Sequence, residues 1–161
     1  MNQGNAASET TTSVVDREIV VNRYFDAPRE LVFRTWTDPD HLSNWWGPQG
    51  FTITTSEFDA RPGGVWRYVM HGPNGVDYDN KITYIEVAEP EKLVYSHGDG
   101  EDDEHFRVTV TFKANGKRTE LTMRSVFKSI EELQKAVQEY GAIEGAKQTL
   151  DRLEKQLATL V

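Results

Sequence analysis

The chain has 161 residues and no cysteine, which is typical of one domain that folds without disulfides in a reducing compartment. Its net charge is −8, and it lacks the basic patch that nucleic-acid binding requires. No apolar run reaches the roughly 20 residues that span a bilayer, and the polar N-terminus has no signal sequence. We expect a disordered tail over residues 1–16, one domain over residues 17–161 and a cytoplasmic location.

The first predicted elements are a strand and two short helices. Residues 18–25 are rich in β-branched and aromatic side chains, which favours a strand. Pro28 suits the first turn of a helix, and Asp38 is a good N-cap for a second one. The second helix is expected to end near Trp46, because the Gly-Pro pair that follows does not continue a helix.

The middle of the chain has the alternation of apolar and polar residues that indicates β structure. Pairs such as Asn74-Gly75 are strong hairpin signals and separate the alternating runs. Six strands are predicted there, over residues 51–59, 65–70, 82–87, 93–97, 106–112 and 121–125. Together with the first strand they make a seven-stranded antiparallel sheet, connected mainly as a meander.

The last segment is predicted to be one long helix from Ser129 to about Thr159. Ser129 and Glu132 form a capping box, and apolar residues recur at three- and four-residue steps along the segment. A sheet with one apolar face must cover that face, and this helix is the largest element available. The order of elements therefore predicts an α+β domain.

Four segments of this sequence carry a resemblance to a known superfamily. They are DAPRELVFRTWTDPDHLSNWWGP at 26–48, DARPGGVWRYVM at 59–70, PEKLVYS at 90–96 and GAIEGAKQTLDRLEKQL at 141–157. They resemble the START-like superfamily (also called SRPBCC, or helix-grip), in the branch related to the C-terminal domain of the activator of the 90-kDa heat-shock protein ATPase. The resemblance implies a helix-grip fold, in which a curved seven-stranded sheet surrounds a long C-terminal helix, with two short helices between strands 1 and 2.

The resemblance also implies a cavity between the sheet and the long helix. Trp66, Tyr68 and Met70 alternate along one strand, and Tyr95 shares a strand face with His97. Aromatic rings that carry one polar atom suit a half-polar cavity, and His97 is a candidate polar anchor whose pKa could switch near neutral pH. The predicted ligand-binding residues are Trp46, Trp66, Tyr68, Met70, Tyr95, His97, Gly141 and Gly145.

An ordinary structural role stays open for each of these residues. Large aromatic rings also fill cores, so one of Trp45 and Trp46 can be packed while the other lines a cavity. Gly141 and Gly145 can serve close packing of the helix on the sheet instead of making room for a ligand.

Motifs for metal or cofactor chemistry are missing from the sequence. The four histidines form no HxH or HExxH pattern, and there is no GxSxG elbow, P-loop or dinucleotide fingerprint. We therefore predict no metal, no cofactor and no catalytic residue.

Three functions remain open at this point. The first is non-enzymatic binding or carriage of a hydrophobic small molecule in the cavity, by a monomer or homodimer. The second is a cochaperone-like interaction module, with a chaperone as partner and a role in stress response. The third is a cyclase- or dehydratase-like enzyme acting on a polyketide-like substrate, which would need two or more ionisable groups converging in the cavity.

Overall fold

The computed structural model describes residues 10–99 and 104–161. The described part contains eight strands: β1 (Thr10–Val15), β2 (Glu18–Phe25), β3 (Thr52–Phe58), β4 (Val65–His71), β5 (Asp77–Ala88), β6 (Lys92–Gly98), β7 (Phe106–Asn115) and β8 (Arg118–Phe127). It also contains four helices: α1 (Arg29–Thr37), α2 (Pro39–Trp45), α3 (Ile130–Tyr140) and α4 (Ala142–Ala158).

The strands form one antiparallel sheet in the order β1-β2-β8-β7-β6-β5-β4-β3. From β3 to β8 each strand pairs with the next in the chain, which is the predicted meander. In chain order the two short helices come between β2 and β3. Helix α4 packs against both of them and against β2. The predicted α+β helix-grip fold is confirmed.

The predicted number of seven strands is wrong, because the sheet has eight. The additional strand is β1, which pairs antiparallel with β2 and places Val14 opposite Ile19. All but the first of its side chains are exposed, so its sequence carries no burial pattern. Its residues fall within the segment that we expected to be a disordered tail; residues 1–9 of that segment lie outside the described residues.

The prediction of one continuous C-terminal helix is also wrong. Gly141 has a φ of +61° in the left-handed region, and its N–H donates to the Ala136 carbonyl oxygen, which closes α3. A glycine adopts this conformation without the steric cost of a Cβ. The predicted N-cap is confirmed, since the Ser129 hydroxyl accepts from the Glu132 N–H at 3.1 Å. The C-terminal helix of the grip is therefore α4 alone.

One face of the sheet, which we call the inner face, carries the core. Each of its central strands contributes alternate buried residues, as the strand period of two requires. Helix α1 packs against β7 and β8, and α2 packs against β3. The largest fully buried side chains are Trp45, Trp66, Arg23, Phe25, Phe33, Phe112, Leu42, Ile82, Leu93, Leu121, Leu150 and Leu153.

Candidate functional site

The four tryptophans of the chain lie together between the short helices and the inner face. The Trp36 and Trp45 ring centroids are 5.0 Å apart, Trp45 and Trp46 are 5.4 Å apart, and Trp46 and Trp66 are 5.0 Å apart. The Tyr68 ring stacks on Trp66 at 4.2 Å. Edge-to-face and stacked rings at these spacings attract each other beyond the effect of burial alone. We call these five residues the aromatic cluster.

The two adjacent tryptophans have different surroundings. Trp45 is completely buried, and its indole N–H donates to the Thr35 carbonyl oxygen at 3.1 Å. Trp46 is half-buried, and its indole N–H donates to the Tyr68 hydroxyl at 2.9 Å. Trp45 therefore holds α2 against α1, whereas Trp46 is joined to a polar group of the sheet.

A chain of hydrogen bonds continues from Tyr68 across the sheet. The Tyr68 hydroxyl lies 3.4 Å from His97 Nε2, and His97 Nε2 lies 2.9 Å from Asn80 Oδ1. The Asn80 amide nitrogen donates to the Tyr78 carbonyl oxygen at 3.1 Å, which orients its oxygen toward His97. Because an amide oxygen only accepts, His97 Nε2 carries the proton. In the neutral ring, Nδ1 is then an unprotonated acceptor.

The groups of this polar chain are uncharged at neutral pH. Burial and, to a smaller extent, the charge of nearby His105 together lower the pKa of His97 to about 4. Burial raises the pKa of Tyr68, which outweighs the lowering effect of the Trp46 hydrogen bond; nearby Tyr84 adds to the increase. The site therefore presents a neutral imidazole and a neutral phenol.

Two hydrogen-bonding positions of this polar chain have no partner among the described residues. The Tyr68 oxygen accepts from Trp46 and faces the protonated Nε2 of His97, so its own hydrogen needs another acceptor. Among the described residues no acceptor takes that hydrogen, and none donates to His97 Nδ1. One donor and one acceptor beside the aromatic cluster thus have no partner among the described residues.

The other predicted site residues of the sheet lie on the same inner face. Trp66 is buried and its indole N–H donates to the Thr55 hydroxyl at 3.1 Å. Tyr95 is buried with its ring 6.3 Å from Tyr84, and burial raises the pKa of its phenol. Met70 is half-buried at the edge of the core.

The two predicted glycines lie apart from these residues. Gly141 is exposed, and a Cβ added there would meet nothing within 4 Å. A Cβ added at Gly145 would lie 3.5 Å from the Pro48 ring, which is ordinary van der Waals contact. Gly145 therefore faces the loop after α2, whereas Gly141 makes the break between α3 and α4.

Sequence reasoning missed two polar residues that organise the site. Asn80 was missed because β5 begins at Asp77, earlier than the pattern of apolar residues indicates.

Arg152 was missed because its partners are more than 100 residues away in the chain. Its Nη1 donates to the carbonyl oxygens of the loop after α2, at 3.3 Å for Trp46, 2.8 Å for Gly47, 3.1 Å for Pro48 and 3.1 Å for Phe51. The one available signal was an arginine between two core leucines of an amphipathic helix.

Comparison with known proteins assigns the chain to a family. Residues 26–158 match the family model described as "Activator of Hsp90 ATPase homolog 1-like protein". The chain belongs to this family. The family is one of ligand-binding or activator-type domains, so membership identifies neither a ligand nor a partner for the chain. No curated protein sequence matches the chain significantly.

Solved structures agree with this assignment to the activator-of-Hsp90-ATPase-like family. A crystal structure of a Mycobacterium smegmatis protein is 26% identical, with a TM-score of 0.84, and covers 95% of this chain and 98% of that one. A solution structure of an Arthrobacter aurescens protein is 25% identical, with a TM-score of 0.85 and coverages of 95% and 92%. A Rhodobacter sphaeroides crystal structure is 25% identical, with a TM-score of 0.83 and coverages of 95% and 100%.

This family member also carries a polar cluster on the outer face of the sheet. The Thr54 hydroxyl is 2.7 Å from His71 Nε2, and Asp77 Oδ1 is 2.8 Å from His71 Nδ1. The order hydroxyl, imidazole, carboxylate is that of a nucleophilic triad. Here the three groups are solvent-accessible and stand on β3, β4 and β5, so they join the edge strand β3 to its neighbours.

Within residues 10–99 and 104–161, no group of three or more His, Cys, Asp and Glu side chains could hold a metal ion. No helix in the same part of the chain is long and apolar enough to cross a membrane.

Proposed function

We propose that this protein binds an uncharged, hydrophobic small molecule between the inner face of the sheet and α4, with the aromatic cluster as one wall. The observation that supports the proposal is the polar chain from Trp46 through Tyr68 and His97 to Asn80, which leaves one donor and one acceptor beside apolar rings. Ligand sites are mostly apolar with a few placed polar groups, and this wall has that composition.

The charge state of the wall favours a neutral ligand. Tyr68 is a phenol and His97 a neutral imidazole at physiological pH, so neither compensates an ionic charge. Moving an ion into such surroundings costs far more than moving a neutral group that finds a hydrogen bond. The expected ligand is an aromatic or alicyclic molecule with a carbonyl or ether oxygen facing Tyr68 and a hydroxyl or amide N–H facing His97.

A fluorescence titration with two naphthalene probes tests this proposal. Prodan is a neutral naphthyl ketone, whereas anilinonaphthalene sulfonate has a comparable ring system with a permanent negative charge. We expect saturable binding of Prodan and at least about tenfold weaker binding of the sulfonate, because the wall cannot compensate the charge. Tyr68→Phe should weaken Prodan binding by about tenfold, the effect of one lost hydrogen bond to the ketone.

The matched control for this titration is Tyr140→Phe, since Tyr140 is 71% exposed on α3. Circular dichroism would establish that both variants are folded. The proposal is wrong if Prodan does not saturate, if the sulfonate binds more tightly than Prodan, or if Tyr68→Phe binds Prodan as tightly as Tyr140→Phe does.

The family match supports a second candidate, a protein-interaction module of the ATPase-activator type. The test is the ATPase rate of the 90-kDa chaperone from the same organism with saturating amounts of this protein. Stimulation would favour the activator function, and an unchanged rate would remove it. The predicted role in stress response belongs to this candidate, whereas the predicted cytoplasmic location is proposed for the protein under each of the candidate functions.

The third candidate, a cyclase- or dehydratase-like enzyme, has less support from the polar chain. A general base works best with a pKa near the operating pH, and the pKa of His97 is about 4. The same property makes His97 suitable as a neutral hydrogen-bonding anchor.

A further inference from the structure

A polar cleft lies outside the aromatic cluster, between the loop after α2 and the C-terminal half of α4. Its volume is about 280 Å³. The residues that line it are Asn44, Gln49, Arg152, Lys155, Gln156 and Thr159. Two of the six are cationic and none is a carboxylate, in a chain whose net charge is −8. The cleft is thus a local positive region on an acidic protein.

The Arg152 guanidinium is fixed in this cleft by one side of its fork. Nη1 donates to four carbonyl oxygens of the loop at 2.8–3.3 Å, which consumes its two hydrogens. Nη2 reaches only the Asn44 carbonyl oxygen, at 3.4 Å. No acceptor among the described residues takes the hydrogen of Arg152 Nε. Since Nε does not belong to the buried polar atoms that lack a partner, it is accessible to solvent.

This arrangement leaves the Nε and Nη2 edge of the Arg152 guanidinium open, and this is the edge that binds oxoanions. Nε and Nη2 together present two parallel N–H groups, which match the two oxygens of a carboxylate or phosphate. Because the carbonyl oxygens already hold the side chain, little conformational entropy is lost when an anion binds.

The charge of Arg152 is not neutralised by the surrounding residues. Burial lowers the pKa of Arg152, the effect expected for a cation whose desolvation no carboxylate offsets. Lys155 is three residues further along α4, on the same side of the helix, and no carboxylate pairs with it within the described residues. By contrast, Asp151 and Glu154 of the same helix turn toward Arg23.

We propose that this cleft binds a small organic oxoanion, a carboxylate or a phosphate monoester. Arg152 binds two of its oxygens through Nε and Nη2, and Lys155 supplies a second positive charge. The side-chain amides of Gln49 and Asn44 donate hydrogen bonds at the rim. This site is separate from the interior wall and does not depend on the neutral ligand proposed above.

An NMR titration of the full chain with inorganic phosphate and with succinate tests the proposal. Ionic strength is held constant with sodium chloride, so that screening does not imitate binding. We expect saturable shifts of the backbone amides of Gln49, Gln156 and Thr159. Lys155→Ala should weaken the binding by about tenfold, the effect of one charge-assisted hydrogen bond.

Lys135→Ala is the matched control, because Lys135 is exposed on α3 and its removal changes the net charge equally. Arg152→Lys, which keeps the charge and loses the fork, should also weaken binding; its thermal midpoint shows whether the loop is still held. Saturation with phosphate alone, with succinate alone or with both supports the site and assigns its anion class. Shifts that fail to saturate, or equal affinities of Lys155→Ala and Lys135→Ala, would overturn it. Neither outcome decides the proposal of the neutral ligand, which the Prodan titration tests separately.

Discussion

His97 shows how a single residue acquires its character from its position in the sheet. A histidine on a strand has an ordinary pKa near 6.5, and the sequence allowed a switch near neutral pH. In the structure, burial moves the pKa to about 4, and the Asn80 oxygen selects the tautomer. His97 is therefore a neutral hydrogen-bonding group throughout the physiological range.

The pH dependence of stability follows from this pKa. The folded-state pKa of His97 lies below its unfolded-state value, so protonation favours the unfolded chain. The contribution of neutral His97 to the free energy of unfolding is complete above about pH 6.5 and is lost as the pH falls toward 4. The loss is roughly 3 kcal/mol at most. Urea denaturation at about pH 7.5 and about pH 4.5 measures the change. His97→Gln should lose less stability than the wild type over this interval; an equal loss in the two proteins would contradict the assignment.

At the scale of elements, the two glycines near the start of α4 have opposite roles. Gly141 has a φ of +61°, which L-residues with a Cβ adopt at a cost. Gly145 is inside the helix, and a Cβ there would make only ordinary contact with Pro48. The spacing of four residues in the sequence does not reveal this difference.

Substitution by alanine should therefore change stability in opposite directions. Gly141→Ala is expected to lower the free energy of unfolding by about 1 kcal/mol, and Gly141→Asn by less, since asparagine tolerates the left-handed region. Gly145→Ala should raise it by up to about 1 kcal/mol through better helix propensity. Thermal and urea denaturation provide the measurements. A stabilising Gly141→Ala would mean that α3 and α4 can form one continuous helix.

At the scale of the whole molecule, a buried arginine connects the sheet to α4. Arg23 on β2 is 1% exposed; it donates to Asp151 at 2.6 Å and to Glu154, and its Nη1 also donates to the Thr10 hydroxyl on β1 at 3.2 Å. The two carboxylates are 32% and 43% exposed. The cation is thus the only fully buried member of this ion group.

This asymmetry predicts which change costs more. Asp151→Asn with Glu154→Gln leaves the buried cation without a counter-charge and should cost more than about 2 kcal/mol. Arg23→Met should cost less, because the remaining carboxylates reach water. Glu104→Gln, which removes an exposed ion pair with Arg107, should change stability by less than about 1 kcal/mol. Urea denaturation compares the three variants, and a larger loss in Arg23→Met would refute the explanation.

Local patterns were sufficient for most of the fold. Alternation of apolar and polar residues located strands β2 to β8, and the caps at Asp38 and Ser129 are present as hydrogen bonds to Asp40 and Glu132. These features depend on residues that are close together in the chain, which is why the sequence reveals them. The strand β1 was missed because its side chains are exposed and only its backbone pairing holds it.

The sequence by itself determined the α+β order of elements, the apolar inner face and the aromatic residues that carry it, because burial periodicity is written in neighbouring residues. Only the tertiary structure decided that Trp46, Tyr68, His97 and Asn80 form one polar chain, and that Arg152 holds the loop after α2. These contacts join residues between 17 and 106 positions apart, and their geometry depends on strand register and helix packing, which no local pattern specifies.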